Sequence, residues 1–169
     1  TSLHQDDAIT YKGSIGRANF YINTKIMTES GKEAQPNEPG ELWIKAPVVT
    51  PGYWRNEAET EDAFDKTKKW FKTGDIVVSD ENNYLYVVDR IKNMFISGAE
   101  NIYPSEIENV ILLLEDVEMC VVVPVPDKKW GEVGKAYIQL KRGAASLNEE
   151  DVMAFCQNRL AKRSEERRV

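Results

Sequence analysis

The chain has 169 residues, of which 41% are hydrophobic and 30% are charged, and its formal net charge at pH 7 is -6. This length and composition are typical of an ordinary globular protein with one domain or two small ones. The acidic balance argues against nucleic acid as a main partner, because nucleic-acid binding favours a basic face, and no apolar run approaches the roughly 18 residues that a membrane-spanning helix needs.

The first half of the chain is rich in short strand patterns separated by turns. Residues 20–27 predict a strand with Phe20 and Ile22 on one face and Tyr21 and Asn23 on the other. Further strands are predicted at 41–45, 70–72, 76–78 and 84–88, and a short helix, acidic near its start, at 57–64. Together these patterns predict a small antiparallel sheet or barrel.

The pattern changes after Arg90. A short strand is predicted at 94–96, and Pro104 suits the first position of a helix whose apolar residues recur at helical spacing. Strands follow at 117–125 and 135–141, and a final helix is predicted to begin at a capping box formed by Ser146 and Glu149. This half is predicted to be an α+β unit of roughly 75 residues, joined to the first near residues 89–92.

The remaining composition offers few groups for chemistry. Cys120 lies in an apolar strand pattern and Cys156 in a helical one, which favours neither a disulfide framework nor a metal site. The polar, acidic residues 1–7 do not resemble a secretory signal, so a reduced, cytoplasmic setting is expected. The lone His4 has no partner residue and is assigned no role.

The tripeptide Thr73-Gly74-Asp75 has two readings. By itself it favours a turn in which the Asp75 carboxylate caps neighbouring N–H groups. Alternatively, it holds a carboxylate at a strand end, where the carboxylate can accept hydrogen bonds from two vicinal hydroxyls. The tripeptide alone does not decide between them.

An ordered series of motifs, however, resembles the adenylate-forming, AMP-binding enzyme superfamily, and most closely its acid–CoA ligases. The series is Gly13-Ser14-Ile15-Gly16-Arg17, Pro39-Gly40-Glu41-Leu42-Trp43-Ile44, Gly52-Tyr53-Trp54, Thr73-Gly74-Asp75, Val88-Asp89-Arg90-Ile91-Lys92 and the stretch from Ile96 to Glu108. The resemblance runs from about residue 12 to 160. It implies an α+β fold in which 1–88 end the large AMP-binding domain, 89–92 form a hinge, and 93–169 form a truncated C-terminal lid domain.

The resemblance implies roles for six residues. Asp75 is expected to hold the ribose hydroxyls of ATP or of the acyl adenylate, and Arg90 to reach the ribose and phosphate side with its fixed cationic fork. Lys92 occupies the hinge position, where backbone torsions rather than the side chain matter. Ser97, Gly98 and Ala99 match the loop that approaches the pantetheine arm of CoA. Ala99 departs from the second glycine common in the family.

The same comparison implies that parts of the family's machinery lie outside this chain. The phosphate-binding loop, the adenine-binding segment and the acyl pocket are expected upstream of residue 1, in a missing N-terminal domain. Lys162 stands too early to be the family's adenylation lysine, so no catalytic residue and no metal ligand is assigned. We therefore expect a fragment of an ATP-dependent carboxylic acid–CoA ligase, inactive alone, whose longer form uses ATP, CoA and Mg²⁺.

Three alternatives follow for the function. The first is a CoA ligase for a medium- or long-chain fatty acid or a related aryl acid. The second is an adenylation domain that loads a carrier protein, although Met94-Phe95-Ile96-Ser97-Gly98 replaces the Lys-Ile-Arg-Gly pattern usual in that class. The third is a non-catalytic module that only binds a partner or a nucleotide weakly. None of the three implies nucleic acid or a transmembrane segment.

Overall fold

The structure is a computed structural model that describes residues 1–144, 146–157 and 159–160. The chain divides into two compact units, Thr1–Lys92 and Asn93–Val169. Lys162, which stands too early to be the family's adenylation lysine, lies outside the described residues.

The first unit is built on a four-stranded antiparallel sheet with the order β1-β2-β3-β4. A short 3-10 helix, Gln5–Asp7, precedes the sheet, and the helix α1 lies between β2 and β3 in sequence. Its elements are β1 (Asn23–Met27), β2 (Gly40–Lys45), α1 (Glu57–Asp62), β3 (Phe71–Ser79) and β4 (Leu85–Arg90). Each strand pairs antiparallel with the strand that follows it in sequence. The predicted antiparallel sheet is therefore observed.

The core of the first unit lies on one face of its sheet. Alternate residues of a strand point to the same face of a sheet. On one face of this sheet, each of the four strands contributes one buried apolar side chain to a single cluster. These residues are Ile26, Leu42, Val77 and Leu85, with Ile15, Ala34 and Ile44 packed against them. A small core of this kind leaves the opposite face and the strand ends available for polar groups.

Two strand predictions in this unit require correction. The strand predicted at 20–27 begins only at Asn23, because the Ile22 N–H donates to the Asn19 carbonyl and closes a turn. Tyr21 has a φ of 65° in that turn, and Phe20 and Tyr21 are exposed. The strands predicted at 70–72 and 76–78 form one continuous strand, β3, with an irregularity in its pairing with β4 between Ile76 and Val77.

The second unit has its own antiparallel sheet, with the order β6-β5-β8-β7, and two helices. The elements are β5 (Phe95–Ser97), β6 (Glu100–Ile102), α2 (Pro104–Ile111), β7 (Val117–Asp127), β8 (Gly131–Leu140) and α3 (Glu149–Cys156). Pro124 and Pro126 are accommodated in β7 because this strand lies at the edge of the sheet, where a missing N–H is tolerated.

The core of the second unit joins the helices to the long hairpin of β7 and β8. Its buried residues are Phe95, Ile102, Ile107, Ile111, Val117, Cys120, Val122, Val152, Cys156 and Leu160. The carboxylate of Glu108 in α2 accepts a hydrogen bond from the Val122 N–H at 2.8 Å, which ties the helix to β7. Burial raises the pKa of the Cys120 thiol to about 11, and the nearby Glu108 and Cys156 act in the same direction.

The start of the last helix differs from the prediction. Asn148, not Ser146, is the N-cap of α3, since its side-chain oxygen accepts from the Asp151 N–H at 2.8 Å. Serine and asparagine are both common N-cap residues. Here the Asn148 side chain is the one that bonds the N–H of the third helical residue. Glu149, expected to close the capping box, is instead the first residue of α3.

The observed architecture, two antiparallel sheets with a few short helices, confirms the predicted α+β fold class. Among the described residues, no helix is long and apolar enough to cross a membrane. The described residues also contain no group of three or more His, Cys, Asp or Glu side chains placed to hold a metal ion.

Candidate functional site

Asp75 and Arg90, named here the clamp pair, are brought together by the pairing of β3 with β4. The two residues are direct cross-strand partners. The Arg90 Nη1 atom lies 3.0 Å from the Asp75 Oδ1 atom, and the two side chains are 58% and 30% exposed, respectively. The sheet thus presents an adjacent carboxylate and guanidinium with much of their surface open to a ligand.

The backbone before Asp75 is fixed by Thr73 rather than by the carboxylate. The Thr73 hydroxyl donates to the Leu42 carbonyl at 2.8 Å and accepts from the Asp75 N–H at 3.1 Å. Gly74 has a φ of 72°, which is strained for residues with a side chain. Within the described part of the chain, no backbone N–H donates to the Asp75 carboxylate, so the turn-capping reading does not describe this structure.

The Arg90 side chain reaches back over the same segment. Its Nη2 donates to the Thr73 carbonyl at 3.4 Å, while its Nη1 contacts Asp75. A guanidinium held at two points keeps a defined direction and still has further N–H donors for an anionic ligand.

Sequence reasoning missed Glu41 as part of this region. One oxygen of the Glu41 carboxylate, Oε1, accepts from the Gly74 N–H at 3.1 Å, and the other, Oε2, accepts from the Trp43 Nε1–H at 2.8 Å. Glu41 and Trp43 are two residues apart in β2 and therefore share a face of the sheet. In the sequence, this spacing and the motif that contains both residues point to Glu41, whereas its contact with Gly74, 33 residues away, depends on the fold.

Lys92 ends the first unit and is highly exposed. Its Nζ atom lies 3.9 Å from Glu59 Oε1, and the two side chains are 86% and 51% exposed. An ion pair so open to solvent contributes little free energy. The hinge role of 89–92 therefore stays a prediction about backbone torsions.

The predicted CoA loop lies in the second unit as the two-residue turn between β5 and β6. Gly98 and Ala99 have φ values of 54° and 69°, and positive φ at both central positions is what a type I′ hairpin turn requires. The Gly98 N–H donates to the carbonyl of Trp130, the residue before β8, at 2.8 Å, and this bond supports the turn. Trp130 thus has a structural contact at this turn.

Ser97 differs from its two neighbours. Gly98 and Ala99 are exposed, whereas Ser97 is completely buried. Its hydroxyl has no hydrogen-bond partner among the described residues. A ligand approaching this turn in the observed conformation meets the backbone of Gly98 and Ala99, not the Ser97 side chain.

A cavity of about 640 Å³ lies apart from the clamp pair, near the start of the chain. Its lining includes Asp7, Arg17 and Tyr84. The Tyr84 hydroxyl donates to the Asp7 carboxylate at 2.6 Å, and this bond, together with burial, raises the pKa of Tyr84 to about 12. The cavity contains neither Asp75 nor Arg90 and is not the site that the motifs indicate.

Residues 106–169 match the AMP-binding enzyme C-terminal domain family. The chain is 44% identical over 161 residues to a 2-succinylbenzoate–CoA ligase of Geobacillus kaustophilus, covering 95% of this chain and 32% of that protein. It is 39% identical over 162 residues to the long-chain-fatty-acid–CoA ligase FadD13 of Mycobacterium tuberculosis, covering 96% and 31%.

A solved structure shows the same relationship. The o-succinylbenzoate CoA synthetase MenE from Bacillus subtilis, in complex with the acyl-adenylate intermediate OSB-AMP, aligns with a TM-score of 0.85 and 36% identity. The alignment covers 96% of this chain and 32% of the MenE chain.

By sequence and by fold, the chain is similar to the C-terminal part of adenylate-forming acid–CoA ligases. It spans about a third of the length of the curated relatives that it matches.

Proposed function

We propose that the chain is the nucleotide-clamp and lid portion of an ATP-dependent carboxylic acid–CoA ligase. In this proposal the substrate carboxylate attacks the α-phosphorus of ATP and pyrophosphate leaves, which gives an acyl adenylate. The CoA thiol then attacks the acyl carbon and AMP leaves. The first step is needed because a free carboxylate has no good leaving group, whereas the mixed anhydride has AMP.

The observation that carries this proposal is the clamp pair. The Asp75 carboxylate is accessible, carries two acceptor oxygens and suits the two vicinal hydroxyls of a ribose. Arg90, held beside it, suits the ribose and the nearby phosphate. The names of the relatives support a CoA thioester as product, and they include both an aryl and a long-chain fatty acid as substrates.

We assign the acid to the class of fatty or related aryl acids. Gly98 and Ala99 take the pantetheine arm of CoA in this proposal, and rotation about 89–92 brings the lid to the thioester step. Mg²⁺ would accompany the ATP phosphates and stabilise their charge. The described residues offer no set of side chains that fits a metal ion, so no step here runs through one.

The test is acid-dependent ATP–pyrophosphate exchange, measured for this chain and for a longer form that includes the flanking segments its relatives carry. We expect no exchange by the chain and clear exchange by the longer form. Exchange by the chain alone would overturn the proposal that essential groups lie outside it. Supplying CoA or a carrier-protein thiol then shows which thiol accepts the acyl group; acceptance by the carrier protein alone would contradict the CoA ligase assignment.

A further inference from the structure

We propose that Glu41 is a positioning residue, which holds the backbone of Gly74 so that the Asp75 carboxylate points toward the nucleotide. The inference deepens the proposed function and rests on it. It starts from the position of Glu41 in β2, which pairs with Ile76 of β3. The segment Thr73–Asp75 lies in the irregularity between this pair and the pair of Trp43 with Lys72.

The Glu41 carboxylate links two groups that need a common acceptor. Gly74 lies in a left-handed conformation, with a φ of 72°, and its N–H points to Glu41 Oε1. The Trp43 indole N–H uses Oε2. A carboxylate can accept both bonds at once, whereas an amide of the same size presents one acceptor oxygen and one NH₂ group that donates.

The indole is itself held from the other side. The Lys25 ammonium lies 4.6 Å from the centroid of the Trp43 ring and 4.4 Å from the centroid of the Trp70 ring. Lys25 and Trp43 are direct partners in the pairing of β1 with β2. A cation between two aromatic rings attracts both faces, so the Trp43 ring is fixed in direction.

A chain of contacts therefore runs from Lys25 through Trp43 and Glu41 to Gly74, one residue before Asp75. The Gly74 carbonyl in turn accepts from the Ile91 N–H at 2.9 Å, next to Arg90. Gly74 is held through its N–H by Glu41 and through its carbonyl by Ile91, the residue that follows β4. Both members of the clamp pair are thus adjacent in sequence to a residue in this chain of contacts.

The first test uses the chain itself and no nucleotide. In ¹H–¹⁵N spectra, Glu41→Gln should shift the Gly74 amide or the Trp43 indole signal, or both. It should also speed exchange of the Gly74 amide about tenfold relative to the core amide of Val77. Glu38→Gln is the matched control, because Glu38 accepts only from the Gln35 N–H in the described structure. Unchanged Gly74 and Trp43 signals in Glu41→Gln would overturn the inference.

A second variant covers the case in which Glu41→Gln fails to fold. Trp43→Phe keeps an aromatic ring beside Lys25 and removes the indole N–H together with one of the two fused rings. We expect the Gly74 amide signal to move in this variant, because the carboxylate loses its second fixed contact. A Gly74 signal identical to that of the wild type would contradict the chain of contacts.

The third measurement connects the contact to function in the longer form. Glu41→Gln should raise the KM for ATP roughly tenfold and change kcat less than about twofold, because the interaction acts equally on bound substrate and transition state. Glu38→Gln should change neither constant. If Glu41→Gln keeps the wild-type KM while Asp75→Ala raises KM, the inference about Glu41 is overturned. A wild-type KM in Asp75→Ala instead overturns the proposed clamp, and the spectra still decide whether Glu41 holds Gly74.

Discussion

The Asp75 carboxylate and the Arg90 guanidinium are cross-strand neighbours with an oxygen–nitrogen distance of 3.0 Å, and both remain partly open to solvent. An ion pair that is exposed to solvent contributes only about 0–1 kcal/mol to the free energy of unfolding. The proposed role of the clamp pair in holding a ligand therefore does not depend on a large contribution of the pair to folding.

The first prediction follows from this exposure. Asp75→Asn and Arg90→Met should each change the free energy of unfolding by less than about 1 kcal/mol, because water already screens the pair. Urea denaturation of the chain at neutral pH measures this, with Glu59→Gln as a control for the exposed pair at Lys92. A loss of more than about 2 kcal/mol would mean that the clamp pair is mainly structural.

The second prediction concerns the turn between β5 and β6. Ala99 has a φ of 69°, a conformation that costs a residue with a side chain about 1–2 kcal/mol. Ala99→Gly removes that strain but adds freedom to the unfolded chain, so a net gain of about 0.5–1 kcal/mol is expected. Gly98→Ala should instead lower the free energy of unfolding, because it adds a side chain at a residue with positive φ. Chemical denaturation measures both, and a destabilised Ala99→Gly would contradict the observed turn.

The third prediction concerns the buried hydroxyl of Ser97. A buried polar group without a partner costs about 1–3 kcal/mol relative to an apolar group of similar shape. Ser97→Ala should therefore raise the free energy of unfolding by about 1 kcal/mol. A decrease of similar size in the free energy of unfolding would instead show that the Ser97 hydroxyl has a hydrogen-bond partner in solution.

The fourth prediction concerns pH. The pKa of Cys120 rises from an ordinary 9.0 to about 11, because burial disfavours the thiolate. The unfolded chain then loses this proton before the folded chain does. The free energy of unfolding therefore keeps the contribution of the protonated Cys120 thiol below pH 9 and loses it as the pH rises toward 11. Urea unfolding at pH 8 and pH 10 should show a smaller decline in Cys120→Ala than in the wild type, and equal declines would contradict the assignment.

Much of the fold could be predicted from local patterns. Pro104 and the apolar spacing after it correctly predict α2, which begins at that proline. The strand at 41–45 is likewise observed within β2. Predictions were wrong where a local hydrogen bond overrides the pattern, as in the turn that excludes Phe20 from β1.

The site could be predicted only in part. Motif order singles out Asp75 and Arg90, and their pairing follows once β3 and β4 form a hairpin. The continuity of β3 through Gly74 could not be predicted, because glycine ordinarily indicates a turn. The contact between Glu41 and Gly74 depends on the register of β2 against β3, which contains an irregularity between Glu41 and Trp43.

The central claim is that Asp75 holds the ribose hydroxyls, and one comparison tests it most directly. In the longer form, kcat/KM is measured for ATP and for 2′,3′-dideoxy-ATP, with wild-type Asp75 and with Asp75→Ala. The wild type should prefer ATP by about tenfold or more, because hydrogen bonds to a charged acceptor are worth about 1.5–3 kcal/mol. Asp75→Ala should use the two nucleotides within about twofold of each other. An Asp75→Ala enzyme that keeps the wild-type preference for ATP would contradict the account.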